Sequence, residues 1–365
     1  MTATITTPGI KLDMTVSGTT ATDFSFAFAG SIHSFTVNVP RKLHEGSKQV
    51  VRGKASGCGV TEEEIERKYY ENFVTDSEQD EFYEVLLDTF QQIKREKRLS
   101  DDEFVELLCA FVQSIPYDEE KLKAQKKGPQ HHNFAAETIA NGAGMCADKS
   151  LLLCGLLAKA GYGACLMCFY DDHHALAAVA VPHGTGYNRG KYAIIETTSK
   201  DYQIGERPKR LKGKCTPYPI GNGSKVYHLE RSKELKKRLE KTVREIDISK
   251  ERINEQTERA LALDAECTKR IDTIVSLDKK ISSNRYSASE VSEMKAMQKR
   301  LSTNLKEMVL RLEDEKEKLN TASEYHNSAV QLLKKLRGRA VDSRTNEKVI
   351  SKGESLLIQA REALA

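Results

Sequence analysis

The chain has 365 residues and a net charge of +4, from 57 Lys plus Arg against 53 Asp plus Glu. That length leaves room for one good-sized domain and a further region, and so small a charge imbalance argues against nucleic acid or an anionic membrane as the main partner. The eight cysteines are scattered, several of them inside apolar runs, which suits reduced, buried thiols better than a disulfide framework.

Residues 1–20 are rich in Thr and read as a loose lead-in with neither the basic nor the apolar segment of a secretory leader. No apolar run reaches the roughly 20 residues a membrane helix needs. The expectation is a cytoplasmic protein with no membrane contact. From Phe24 the pattern alternates, through Phe26 and Phe28 and then Phe35, Val37 and Val39. This predicts a β-hairpin turning at Gly30 and closed by Pro40, followed by a loop over 41–60. A helix is predicted from the acidic start at Thr61 through Phe90 and Ile93. Ser100-Asp-Asp-Glu103 is a capping box that opens an apolar helix through Phe104, Leu108 and Val112, ended by Pro116. Residues 118–133 read as a charged surface loop.

The stretch Gly142-Ala-Gly-Met-Cys-Ala-Asp-Lys-Ser150 delivers Cys146 to the first turn of an apolar helix reaching Ala160. Strands are predicted at 164–170, 175–181 and 191–198. Helices followed by consecutive strands indicate an α+β domain with an antiparallel sheet. The basic run at 207–214 reads as a solvated tail, and 216–224 as a linker ending the domain. The predicted divisions are 1–60 for the hairpin region, 61–225 for the α+β domain, 229–340 for a helical arm and 341–365 for a short terminal helix.

From residue 229 proline disappears. Leu239, Ile246, Ile253, Ala260, Cys267, Ile274 and Ile281 fall at intervals of seven, and a second heptad series runs from Val291 to Leu336. Two such arms joined by the polar turn at 282–286 predict an antiparallel coiled-coil hairpin, each arm about 75 Å long at 1.5 Å per residue. Its expected use is self-association or a protein partner. Gln298, Glu315 and His326 fall on the seam and read as register-setting polar positions.

A cysteine at a helix start is a candidate nucleophile, because unpaired N–H groups and the helix dipole favour the thiolate. It needs a base and a group to orient that base. His173 or His174, at the entry to one predicted strand, can supply the base, and Glu196, at the end of the next, can orient it. The Cys165 and Cys168 pair has metal-ligand spacing, but both lie inside an apolar strand and read as core. No metal and no cofactor are expected.

Glu137-Thr-Ile139, Gly144-Met-Cys-Ala-Asp-Lys-Ser-Leu-Leu152, Gly161-Tyr162, His173-His-Ala175, Glu196-Thr-Thr198 and Ile204-Gly-Glu206 occur in an order that resembles the transglutaminase-like superfamily, in particular its microbial papain-fold members. The resemblance spans about residues 104–208, includes Phe111-Val-Gln-Ser-Ile-Pro-Tyr117, and leaves the helical arm outside. It implies a transglutaminase/papain-like core, a Cys146, His174 and Glu196 triad with His173 as the alternative base, and an acyl-thioester route to hydrolysis or transfer at an amide or peptide bond. Oxyanion or pocket candidates are Gln113, Asp148 and Tyr170. The alternative is an inactive scaffold whose coiled coil binds a partner. The chain departs from the family at Met145 and Ala147, where acidic residues are usual, and has no tryptophan.

Overall fold

The computed structural model describes residues 10–52, 61–125, 131–336, 338 and 340–365. The fold is mixed α+β, with small antiparallel sheets and long C-terminal helices. It divides into two units. The first holds the residues up to Lys236 together with 336–347, and the second holds 237–335 and 348–365.

The first unit opens with the hairpin, β1 (Thr19–Phe28) against β2 (Ser31–Pro40), in a register that sets Phe24 opposite Phe35. Ala29 and Gly30 both have positive φ, the geometry of a two-residue turn matched to strand twist. Ala29 holds this unfavourable conformation with its N–H bonded to Asp342 Oδ2 at 2.9 Å. The inward face of the hairpin is aromatic because alternate residues of a strand share a face. Phe24 and Phe26 meet the Phe111 ring edge-on, and Phe35 meets Phe90.

After the hairpin come α1 (Arg41–Lys48), α2 (Glu62–Thr75), α3 (Asp80–Lys97), α4 (Asp101–Ser114) and α5 (Glu119–Gln125). The predicted loop at 41–60 is thus partly helix α1; the rest of it includes 53–60, with Cys58, which lie outside the described residues. The single helix predicted from Thr61 is two, broken at Asp76, whose carboxylate receives Ile10 N–H and Glu78 N–H and so competes with helix continuation. The predicted surface loop at 118–133 contains α5, and its 126–130 lie outside the described residues.

After α6 (Ala135–Asn141) comes α7 (Cys146–Lys159), buried along most of its length. It packs on a four-stranded antiparallel sheet in the order β5-β4-β3-β6, made of β3 (Ala164–Phe169), β4 (His174–Ala180), β5 (Tyr192–Ile195) and β6 (Thr216–Ile220). β6 falls where a linker was predicted. Its two prolines break the hydrophobic alternation that marks strands, yet Pro217 and Pro219 are tolerated because β6 is an edge strand. Cys165 and Cys168 enter hydrophobic clusters on opposite faces of this sheet.

α8 (Glu230–Ile281), in the second unit from Lys237 onward, and α9 (Ala288–Lys334) run antiparallel. The pairs Asp278 with Gln298, Asp264 with Lys316 and Ser249 with His326 fix that direction. Ala260, Cys267 and Leu312 are buried between them. Glu315 receives Arg311 Nε at 3.2 Å on its own helix. Helix α10 (Ser343–Ala363) closes the chain, and its Glu354 receives Arg238 of α8 at 2.7 Å. Among the described residues, no helix is long and apolar enough to cross a membrane.

Candidate active site

The fold brings Cys146, His174 and Glu196 to one corner. Cys146 is the first residue of α7, where its backbone N–H has no intrahelical partner. Asp148 fixes this helix start. Its carboxylate receives the N–H of Met145 at 2.9 Å and of Asn133 at 2.7 Å, and Lys121 Nζ at 2.8 Å. Asp148 therefore acts as a cap and cradle for the turn that carries the cysteine. Met145 and Ala147 flank Cys146 on the wall of the same cavity.

His174 is the first residue of β4. The residue before it, His173, sits at φ 48, a left-handed conformation that turns the chain so that His174 enters the strand facing inward. Glu196 follows the last residue of β5, and the β4–β5 pairing brings Ala177 opposite Ile195. The result is a hydrogen bond of 3.0 Å between His174 Nε2 and Glu196 Oε2. Glu196 is fully buried, while Cys146 and His174 keep 8% and 9% of their surface open to the cavity.

Helix and strands are tied to each other next to these residues. Ser150 Oγ of α7 donates to Ala175 O, beside His174, and lies 3.1 Å from Thr197 Oγ1, beside Glu196. Gln113 Nε2 of α4 donates to the Glu196 backbone carbonyl at 2.8 Å. Gln113 thus stands behind the acid and is not on the wall of the Cys146 cavity. Thr198 supplies its N–H and O–H to Glu196 Oε1 at 2.8 and 2.7 Å. With both carboxylate oxygens engaged, the imidazole has one orientation.

The electrostatics follow from this geometry. Burial opposes a charged imidazole, but hydrogen bonds and charge from Cys146 and Glu196 outweigh it and raise His174 to about 9. Burial likewise opposes a charged Glu196, and bonds from His174 and Thr198 hold it at about 2. Nε2 belongs to Glu196, so Nδ1 is the nitrogen left for the thiol. Lys149, one turn from Cys146 and bonded to Ile115 O at 2.6 Å, is pushed down by burial to about 8.

A further residue at this corner comes from the basic run read as a solvated tail. Arg210 Nη2 lies 3.2 Å from Glu196 Oε2 and 3.2 Å from His174 Nε2. The run carries no apolar period to betray a fixed position. It is held by Asp172, whose Oδ2 receives the N–H groups of Lys212 and Gly213 at 3.0 and 2.8 Å.

A cavity of about 730 Å³ opens onto Cys146 and His174. Its walls include Tyr70, Tyr117, His131, His132, His173 and Tyr170. Tyr170 O–H donates to Glu66 Oε2 at 2.8 Å and its oxygen lies 2.8 Å from Tyr218 Oη, so the predicted pocket residue serves as a rim post. A smaller cavity of about 390 Å³ in the second unit is lined by α8 and α10, with neither cysteine nor histidine among the described residues lining it. No group of three or more metal-ligating side chains occurs among the described residues.

Comparisons with protein-family models, with curated proteins and with solved structures find no match to this chain.

Proposed function

We propose that the chain is a thiol hydrolase or acyltransferase of the transglutaminase-like superfamily, acting on amide or peptide bonds through Cys146, His174 and Glu196. The observation that carries this reading is the contact of His174 Nε2 with Glu196, beside Cys146 at the helix start on the same cavity. The order of the motifs and the helix-on-antiparallel-sheet arrangement support a papain-like core. In this reading the Cys146 sulfur attacks the carbonyl carbon and the imidazolium of His174 gives its proton to the leaving amine. Water then releases the acid, or a second amine takes the acyl group. The cavity is wide enough for a peptide side chain. Iodoacetamide at neutral pH should alkylate Cys146 far faster than the other cysteines, and Cys146→Ala should abolish turnover in a screen of peptide and amide substrates. Uniform or absent labelling at Cys146 sinks the enzyme reading.

A role for the helical arm in association is a second reading. It is favoured by Leu261, Ile271 and Val275, which stand exposed on α8 within one face of the helix. Sedimentation of wild type against a Leu261→Glu, Val275→Glu double variant tests it. A monomeric wild type removes self-association.

A further inference from the structure

The oxyanion that forms when a thiolate attacks a carbonyl needs donors placed where the charge develops. The Cys146 N–H, with no intrahelical partner at the start of α7, is one. Gln113, the donor expected from the sequence, is committed to the Glu196 carbonyl. The geometry around Cys146 offers a different partner.

Pro116 ends α4 and sends the chain past the cysteine turn, where Tyr117 forms a parallel bridge with Gly144. Gly144 N–H donates to Pro116 O at 3.2 Å, and Asp118 N–H donates to Gly144 O at 3.3 Å. The Tyr117 backbone is therefore fixed against the residue two before Cys146. Its half-buried ring lines the same cavity as Cys146 and His174. The phenol stands close enough to Cys146 that both the Cys146 N–H and its sulfur act on the acidity of the phenol.

We propose that Tyr117 is a catalytic residue, whose O–H and the Cys146 N–H together bind the carbonyl oxygen of the acyl group as it becomes an oxyanion. This rests on the thiol acyl-transfer reading above. As the C–S bond forms, the carbonyl π pair moves onto oxygen. That oxygen accepts the Cys146 N–H and the Tyr117 O–H as two hydrogen bonds. When the pair returns, the C–N bond breaks and the amine leaves with the His174 proton, giving a thioester. Burial and the neighbouring sulfur push the Tyr117 phenol up to about 12, so it keeps its proton and remains a donor at neutral pH. Charged groups facing this corner among the described residues include Asp148 with Lys121, engaged with each other, Glu119, and Arg210 on the Glu196 side.

Two reagents separate this role from a structural one. Acylation of Cys146 by p-nitrophenyl acetate passes through an oxyanion, whereas alkylation by iodoacetamide does not. In Tyr117→Phe, acylation should fall on the order of 10²-fold while alkylation stays close to wild type, which also shows that the variant is folded. Tyr117→His, which restores a donor, should recover part of the acylation rate. Unchanged acylation in Tyr117→Phe, or an equal fall in both reactions, overturns the proposal. A wild type that reacts with neither reagent at Cys146 removes instead the thiol reading on which it rests.

Discussion

Arg210 donates from Nη2 to Glu196 Oε2 across 3.2 Å, into the same oxygen that receives His174 Nε2 at 3.0 Å. Two cations thus share one buried carboxylate oxygen. The guanidinium stabilises the charged acid and at the same time repels the imidazolium. Its side chain is 57% exposed, so salt weakens its effect. Arg210→Gln should move the His174 titration to higher pH, because the imidazolium loses a repelling neighbour. NMR titration of the His174 ring, at low and at high salt, checks this. A shift toward lower pH would mean that the guanidinium chiefly orders Glu196.

Glu196→Gln removes the charge but keeps the shape. The amide can still meet Nε2, yet it no longer stabilises an imidazolium, so His174 should fall from about 9 toward its ordinary value. Alkylation of Cys146 at pH 7 should slow by about tenfold or more. NMR titration of the His174 ring gives an independent reading.

The pH dependence of stability has a definite sign. His174 rises from 6.5 to about 9 on folding, so its contribution is complete below pH 6.5 and is lost as pH climbs through 9. Glu196 falls from 4.5 to about 2, so its contribution is complete above pH 4.5 and is lost as pH drops through 2. The melting temperature of wild type relative to a Glu196→Gln, His174→Gln double variant should be greatest between about pH 4.5 and 6.5. A flat difference from pH 3 to 10 would contradict the pairing.

Asp148→Ala strips the cysteine turn of its acceptor. The N–H groups of Met145 and Asn133 and the Lys121 ammonium lose their partner, a loss of about 1–3 kcal/mol. Thermal unfolding should show it, and Cys146 alkylation should slow as the helix start loosens.

Gly155→Ala should destabilise for a steric reason. A Cβ there would lie 2.0 Å from the Tyr83 hydroxyl, and Tyr83 is itself fully buried. Overpacking of this kind costs about 1–3 kcal/mol. Adding Tyr83→Phe should return part of the lost melting temperature.

By itself the sequence determined the elements whose signal is local. The alternating phenylalanines of β1 and β2, the capping box before α4, the glycine turn before Cys146 and the heptads of α8 and α9 each leave a period or a cap in the chain. The candidate site residues could also be listed, because a cysteine at a helix start and a histidine at a strand entry are local features. What the tertiary structure decided was which of them meet. His174 rather than His173 reaches Glu196 because the left-handed turn at His173 sets which side chain faces inward, whereas the motif order left His173 open as the alternative base. Gln113 is turned to the Glu196 carbonyl, and β6 exists because β3 offers it an edge despite its prolines. Arg210 and Tyr117 reach the same corner from segments 64 residues after Cys146 and 29 before it. Contacts over such separations depend on how the layers stack, and packing leaves no periodic trace in the residues it joins.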